Sequence, residues 1–313
     1  MVISVEAKIP EALLELIDDP AITDICLAEG STQVDSGSGL RTEAKLALTE
    51  KELSILAKDL IELGGRRLDQ ANPFADVSLP GGLRVHAVLK SACTESTLVS
   101  IRLHSTNPLN LDSLLSGSYA TSAQSDLIQE IAGSGESFLI SGSTGTGKTT
   151  LLRAMLSETT ERVIAVEDVT ELSGKNIITL QTKPKNIEGV GEISLDDLVR
   201  QALRMRPDRI CIGEVRGQEL VPMLQALNTG HRGATTLHSN SLEQVPERLL
   251  SIATQQGMNE STLSRLAASA FDWVISLDFA QGTRAVAGVG KFQIVDDKLV
   301  VVSQLRSRKL QLA

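Results

Sequence analysis

Two hydrophobic rhythms divide the chain. In the first hundred residues, short strand-like runs surround two helical stretches. Residues 10–17 (PEALLELI) predict a short helix and residues 22–27 a strand. The polar, glycine-containing stretch 31–48 holds two weak hairpin candidates, Gln33-Val34-Asp35 and residues 40–44. A better helix opens at Thr49. Leu53, Leu56, Leu60 and Ile61 recur at helical spacing, and Thr49 and Glu52 have the spacing of a capping box. Gly64 is placed to close that helix in the left-handed conformation. Three strand-like runs follow at 74–79, 84–89 and 98–103, the first two joined by the turn Pro80-Gly81-Gly82. Residues 1–104 therefore read as a small α+β domain with an antiparallel sheet.

The second rhythm begins after 105–122, a Ser-, Asn- and Thr-rich stretch that reads as a linker with a short apolar anchor at Leu111, Leu114 and Leu115. Strands and helices then alternate to the end of the chain. Helices are predicted at 124–131, 150–156, 195–205, 218–227 (closed by Gly230) and 241–256. The last has a Ser241/Gln244 capping box and Gly257 beyond its end. Strands are predicted from Phe138, at 162–166, at 209–213 and at 234–237, with 274–277, 285–289 and 299–302 as edge strands. Such alternation predicts an α/β domain over 123–313, a mostly parallel sheet covered by helices on both faces. There is no internal repeat and no low-complexity tract.

One stretch carries chemistry in its spacing. Phe138-Leu139-Ile140-Ser141 reads as a buried strand. It empties into Gly142-Ser143-Thr144-Gly145-Thr146-Gly147-Lys148-Thr149, and Thr150 leads into a helix. This is G-x-x-x-x-G-K-T in a strand–loop–helix context. Phosphates need several backbone N–H groups aimed at one point, and glycines let the chain curl tightly enough to aim them. The helix that follows turns its positive end to the same anion. Lys148 is expected to reach the β/γ-phosphates of ATP, and the Thr149 hydroxyl to ligate Mg²⁺.

In helix-covered parallel sheets, ligands bind beyond the carboxyl ends of the strands. Glu167, Asp168 and Glu171 follow the strand at 162–166, Glu214 follows Ile210-Cys211-Ile212, and His238 ends the strand at 234–237. Glu214 is the candidate base that orients an attacking water. The residue before it is Gly213 where a Walker B acid would stand, so Glu167, Asp168 or Glu171 is left to hold the Mg²⁺ waters; a solvated acidic turn is the alternative. His238 is a candidate γ-phosphate sensor, with a satisfied structural histidine as its alternative. Arg200, Arg204, Arg206, Arg209 and Arg216 surround the Glu214 strand, most of them expected to be surface ion-pair partners. Arg84 and Arg102, on strands of the first domain, could stabilise transition-state charge across an interface or form sheet-surface salt bridges.

Composition narrows the classes. The chain has 313 residues, room for two domains, and 42% apolar residues but only 2% aromatic, so its cores must be aliphatic. A net charge of −9 argues against stable nucleic-acid binding. Cys26, Cys93 and Cys211 are far apart and form no C-x-x-C pair, so no zinc is expected; buried thiols in a reducing cytoplasm fit best. The N-terminus lacks the pattern of a signal peptide, and no apolar stretch is long enough to span a bilayer.

The run LRMRPDRICIGEVRG (203–217) resembles the Walker B region of the secretion and pilus-assembly ATPases. Asn228-Thr229-Gly230-His231, with Thr235-Thr236-Leu237-His238-Ser239-Asn240-Ser241, is similar to that family's His box, and 166–172 (VEDVTEL) to its Asp box. Upstream, GRRLD (65–69), LPGGLRVHAV (79–88) and Ser100-Ile101-Arg102 look like the family's N-terminal domain, so the resemblance covers nearly the whole chain. The detail LRMRPDR with GEVRG is most like the CpaF-like branch of Tad/Flp pilus assembly, with type IV secretion ATPases close behind.

The resemblance implies a RecA-like ATPase domain and a homohexameric ring that hydrolyses Mg-ATP. It would lie in the cytoplasm at the inner face of the membrane and push on inner-membrane pilus or secretion platform proteins. By the same resemblance, Lys148 and Thr149 take the phosphate-loop roles and Glu214 that of catalytic base. Glu167, Asp168 and Glu171 take the Asp-box roles and His238 the His-box role, while Arg84 and Arg102 look like the phosphate-contacting arginines. The helical extension that precedes this domain in many CpaF-like proteins is not seen, and Asp196 and Lys183 stand where arginines are common. A RecA-like nucleic-acid translocase and a nucleotide-binding regulator without turnover are the competing readings; a DNA-stimulated rate would mark the first, ATP binding without phosphate release the second.

Overall fold

The computed structural model describes residues 9–37, 39–79, 82–91, 94–103, 110–183, 190–280 and 283–306. The chain divides into two compact units, residues 1–107 and 108–313.

The first unit is one antiparallel sheet with two helices on one face. Its elements are α1 (Glu11–Asp18), β1 (Asp24–Ala28), β2 (Ser31–Asp35), β3 (Leu40–Thr42), α2 (Glu50–Leu63), β4 (Phe74–Leu79), β5 (Leu83–Val88) and β6 (Leu98–Leu103). The strand order is β3-β2-β1-β6-β5-β4. Alternation builds it: Ile25, Leu27, Val77, Val85, Val99 and Ile101 point inward and meet Leu53, Leu56, Leu60 and Ile61 of α2. Each such aliphatic side chain, fully buried, is worth about 2 kcal/mol. The Thr49/Glu52 capping box forms as the spacing predicts. Gly64, however, does not take the left-handed conformation. Its φ is −83°, and Gly65 carries the turn at φ +74°. Gly64 is small for another reason: a Cβ there would fall 2.3 Å from Val77 Cβ. Pro80 and Gly81 of the expected turn, and Cys93, lie outside the described residues. Cys26 is half-buried, on the open face of the sheet, and not in the core as expected.

The second unit contains α3 (Leu111–Leu115), α4 (Ser122–Ser134), β7 (Phe138–Gly142), α5 (Lys148–Ser157), β8 (Val163–Glu167), β9 (Ile177–Gln181), α6 (Leu195–Ala202), β10 (Arg209–Val215), α7 (Leu220–Leu227), β11 (Arg232–His238), α8 (Val245–Gln255), α9 (Glu260–Ala270), β12 (Trp273–Ala280), β13 (Thr283–Val295) and β14 (Lys298–Arg306). The sheet order is β14-β13-β12-β7-β11-β10-β8-β9. From β12 to β9 every pairing is parallel, and β13 and β14 add antiparallel strands at one edge.

Two apolar layers flank this sheet. α3, α4 and α5 cover one face through Leu111, Ile128, Leu151 and Leu152; α6 to α9 cover the other through Val199, Leu224, Leu249 and Leu263. The apolar anchor read as part of a linker is thus α3, packed into the second core. β12 is not an edge strand as expected. It lies inside the sheet, beside β7. β9 and α9 were not foreseen. The predicted Ser241/Gln244 box does not form either: α8 starts at Val245, with Pro246 in its first turn. A helix running from 241 would need the N–H that Pro246 lacks.

Arg209 is an exception among the arginines around β10, most of which were expected to be surface ion-pair partners. It is fully buried, not a surface partner. Its Nε donates to Glu161 at 2.6 Å, and one of its terminal nitrogens donates to the Glu136 and Gly233 carbonyls at 2.9 and 3.1 Å. Glu161 is shared with Arg232.

Candidate functional site

The site is built where β7, β8, β10 and β11 end. β7 is fully buried and runs straight into the phosphate loop. Gly145 and Gly147 take φ of +78° and +90°, a region open to glycine at little cost, and Gly147 caps the N-terminus of α5. A Cβ on Gly142 would fall 2.8 Å from the Leu277 carbonyl oxygen. The loop is braced from within by the Thr146 hydroxyl donating to the Ser143 carbonyl at 2.9 Å. From outside, Arg284 Nε donates to the Gly145 carbonyl at 2.9 Å. Ser143 and Thr144 are exposed, Thr149 and Thr150 half-buried.

Lys148 is buried. Its Nζ donates to the carbonyls of Gly142 and Ser143, 2.9 Å each, and stands 3.4 Å from His238 Nδ1. His238 Nε2 lies 2.9 Å from Glu214 Oε1. An ammonium can only donate, so Nδ1 accepts and Nε2 keeps the proton that it gives to Glu214. The ring is neutral in this arrangement. Burial, then the charge of Lys148, hold its pKa below the ordinary value, against the pull of Glu214. Burial likewise lowers the pKa of Lys148, opposed by Glu214. The structure therefore brings three of the expected residues, Lys148, His238 and Glu214, into one hydrogen-bonded line.

A bulge aims Glu214. Ile212 pairs with Thr235 and Val215 with Leu237, so β10 carries one residue more than β11 between these points. The extra backbone is not left unsatisfied: the Thr235 and Thr236 hydroxyls donate to the carbonyls of Ile212 and Gly213 at 2.8 and 2.7 Å. Bulges of this kind re-aim side chains beside sites.

The three acids after β8 are placed differently from one another. Glu167 is buried and accepts the backbone N–H groups of Glu171 and Leu172, the closest contacts 3.2 and 3.0 Å. Burial pushes its carboxyl up to about 7 in spite of those bonds. Asp168 pairs with Arg216 and accepts the Thr182 hydroxyl at 3.2 Å. Glu171 lies near Arg153, whose pKa burial lowers and Glu171 raises. The Thr149 hydroxyl makes no hydrogen bond to a described residue. It is an oxygen donor of the kind Mg²⁺ takes, at the start of α5 where phosphate oxygens would supply others. Among the described residues, no group of three or more His, Cys, Asp or Glu could hold a metal ion without such help.

Arg84 and Arg102 belong to the first unit. They pair across β5 and β6 on the open face of the sheet, and Arg102 Nε bonds Asp24 at 3.0 Å. No helix among the described residues is long and apolar enough to cross a membrane.

A glycine-rich phosphate loop on the central strand of a helix-covered parallel sheet, with an acid and a histidine converging on its lysine, defines a P-loop nucleotide-binding domain of RecA-like fold. The family model described as type II/IV secretion system protein matches residues 41–276. The chain belongs to that family. A Mycobacterium tuberculosis protein named "Putative conjugal transfer protein MT3759" is 40% identical over 267 residues, covering 81% of this chain and 76% of its own. The type IV secretion system protein PtlH of Bordetella pertussis is 30% identical over 307 residues, 88% of this chain and 91% of its own. The fold is shared with the pilus retraction motor PilT, at a TM-score of 0.64 and 22% identity over 90% of this chain and 82% of that one.

Sequence reading missed several supports of the site. The strand β9 pairs with β8 and holds Thr182 beside Asp168; its signal was the run Ile177-Ile178-Thr179-Leu180. Glu219 is buried and accepts the N–H groups of Arg216 and Gly217 at 2.5 and 2.7 Å, fixing the turn after Glu214. Its position in the sequence carried no such signal.

Proposed function

We propose that the chain is an ATPase that hydrolyses Mg-ATP and turns the energy into mechanical work on a secretion or pilus machine. The line Lys148–His238–Glu214 at the mouth of the phosphate loop carries this reading. Lys148 leaves the loop carbonyls to bind the β/γ-phosphates, which replace them as acceptors. Glu214 orients the attacking water and takes its proton. His238, held neutral, keeps Glu214 aimed through Nε2–H and reports through Nδ1 whether Lys148 has moved. Bound with the nucleotide, Mg²⁺ neutralises phosphate charge, and Thr149 is the residue that would hold it. The backbone of residues 142–147 and the start of α5 at Thr149 and Thr150 cradle the phosphates. In this reading Asp168, Glu171 and Glu167 order the acidic loop beside them.

Arg84 and Arg102 are proposed as phosphate-contacting arginines. Two guanidinium groups directly across a strand pair repel, and an anion between them relieves the repulsion. The working form is a homohexamer at the cytoplasmic face of the inner membrane, acting through domain motions on platform proteins embedded there. The motif detail of residues 203–217 favours a Tad/Flp-type pilus. A conjugative or type IV secretion machine is the second reading, favoured by the names of the relatives MT3759 and PtlH.

The test is phosphate release from Mg-ATP across a series of protein concentrations, with Glu214→Gln as control. A specific rate that climbs with concentration and vanishes in the variant, while ATP binding persists, is the expected result. Turnover unchanged by Glu214→Gln removes Glu214 as the base.

A further inference from the structure

A cavity of about 510 Å³ opens beside the phosphate loop on its Ser143–Thr144 side. His238 forms part of its wall. The wall continues onto the start of α8, with Gln244, Glu247 and Arg248. Arg248 is half-buried. Its guanidinium makes no hydrogen bond or ion pair with any described residue. The nearby arginines are engaged: Arg216 with Asp168, and Arg284 with the Gly145 carbonyl. Arg248 stands close enough for its charge to act on His238, alongside burial and Lys148.

The Arg248 guanidinium has no partner among the described residues, and five N–H donors in a fixed fork match the oxygens of a phosphate. The cavity touches the first half of the loop and the histidine, not the start of α5. It therefore lies on the side where the terminal phosphate of a loop-bound nucleotide would point. Glu247, exposed on the same wall, leaves Arg248 unpaired.

We propose that Arg248 binds the terminal phosphate of ATP and so gives the site its preference for nucleoside triphosphate over diphosphate. This rests on the reading of residues 142–149 as an ATP-binding loop. The arginine acts from within the same unit as the loop, so it needs no neighbouring subunit. With ADP bound, Arg248 has nothing to hold.

The test is calorimetric titration of the full chain with AMP-PNP and with ADP, both with Mg²⁺, for the wild type, Arg248→Ala, Arg248→Lys and Lys148→Ala. Losing a charge-assisted phosphate contact is expected to weaken AMP-PNP binding about tenfold to a hundredfold in Arg248→Ala. ADP affinity should stay within about twofold. Arg248→Lys should fall between, because a lysine keeps the charge and loses the fork. Equal weakening of both nucleotides, or of neither, overturns the proposal. Lys148→Ala should weaken both. A wild type that binds neither nucleotide sinks the loop reading and the proposal together, whereas an Arg248→Ala that binds both as the wild type does sinks only the proposal. Thermal melting followed by Trp273 fluorescence shows whether each variant is folded.

Discussion

Glu167 should make the second unit less stable as the pH rises through neutrality, the reverse of ordinary carboxylate behaviour. The residue is 4% exposed, and its carboxyl is pushed up to about 7 where 4.5 is ordinary. Between those values the folded protein holds a proton that the unfolded chain has released. Stability therefore falls with rising pH across that window, and the whole penalty is present above it. At about 1.4 kcal/mol per pH unit of displacement, the penalty is about 3 kcal/mol. Glu167→Gln removes it, since an amide oxygen still accepts from Glu171 and Leu172 and never ionises. The assay is urea unfolding of both proteins from pH 5 to pH 8.5, followed by Trp273. That residue is the chain's single tryptophan, and its indole N–H donates to Glu136 at 2.9 Å within the second unit. Near pH 5 the two proteins should unfold at similar urea concentrations. By pH 8 the variant should be the more stable by about 3 kcal/mol. A difference that does not change with pH refutes the reasoning, because it would mean that Glu167 titrates alike in both states.

Three further perturbations test other parts of the structure. Arg102→Ala removes only an exposed pair with Asp24, so it should shift stability by less than about 1 kcal/mol and yet lower ATP turnover; normal kinetics would return Arg102 to a structural role. Gly213→Ala places a Cβ 3.0 Å from Glu167 Cγ and should destabilise by about 1–3 kcal/mol. The double variant with Glu167→Ala should recover part of that loss, and strict additivity in urea unfolding would argue against the contact. Arg209→Met strips a buried cation from Glu161 and from two carbonyls. It should cost about 3–5 kcal/mol in the same unfolding assay, where a neutral effect would show the ion pair to be dispensable.

Much of the fold was legible because its periodicity is strong and local. The Thr49/Glu52 cap, the buried face of α2 and the strand–loop–helix around Lys148 are each specified within about fifteen residues. The Ser241/Gln244 box failed locally, at Pro246. Three other failures share a cause: what decided them lay elsewhere in the chain. Gly64 does close α2, but what requires a glycine there is Val77, packed where a side chain would be, and not a left-handed turn. Arg209 reads as a surface cation until Glu161, Glu136 and Gly233 converge on it from three other segments. The run at 274–277 reads as an edge strand because nothing local says that it pairs with β7. At the site, sequence identified the ends of the strands. It could not show that His238 joins Lys148 to Glu214, because that line crosses three strand ends far apart in the chain.

The glycine at position 213 shows how such distant partners change the meaning of a motif. By sequence it is a missing acid: the position before Glu214 lacks the carboxylate that a Walker B pair would place there. In the structure the space is not empty. Glu167 reaches over from β8, and its Cγ and Oε1 stand 3.0 and 3.1 Å from where a Cβ at 213 would be. An aspartate at 213 would collide with it. A carboxylate thus stands beside position 213 from the neighbouring strand, and the glycine leaves room for it. The two placements differ in chemistry. A carboxylate on an open strand end could meet a cation directly, whereas Glu167 is closed in, bonded to the N–H groups of Glu171 and Leu172, and near half-protonated at neutral pH. Its geometry suits fastening the acidic loop beside Glu214. In the proposed mechanism, charge compensation at the phosphates is left to cations that can reach them, Lys148 once it leaves the loop carbonyls and Arg248.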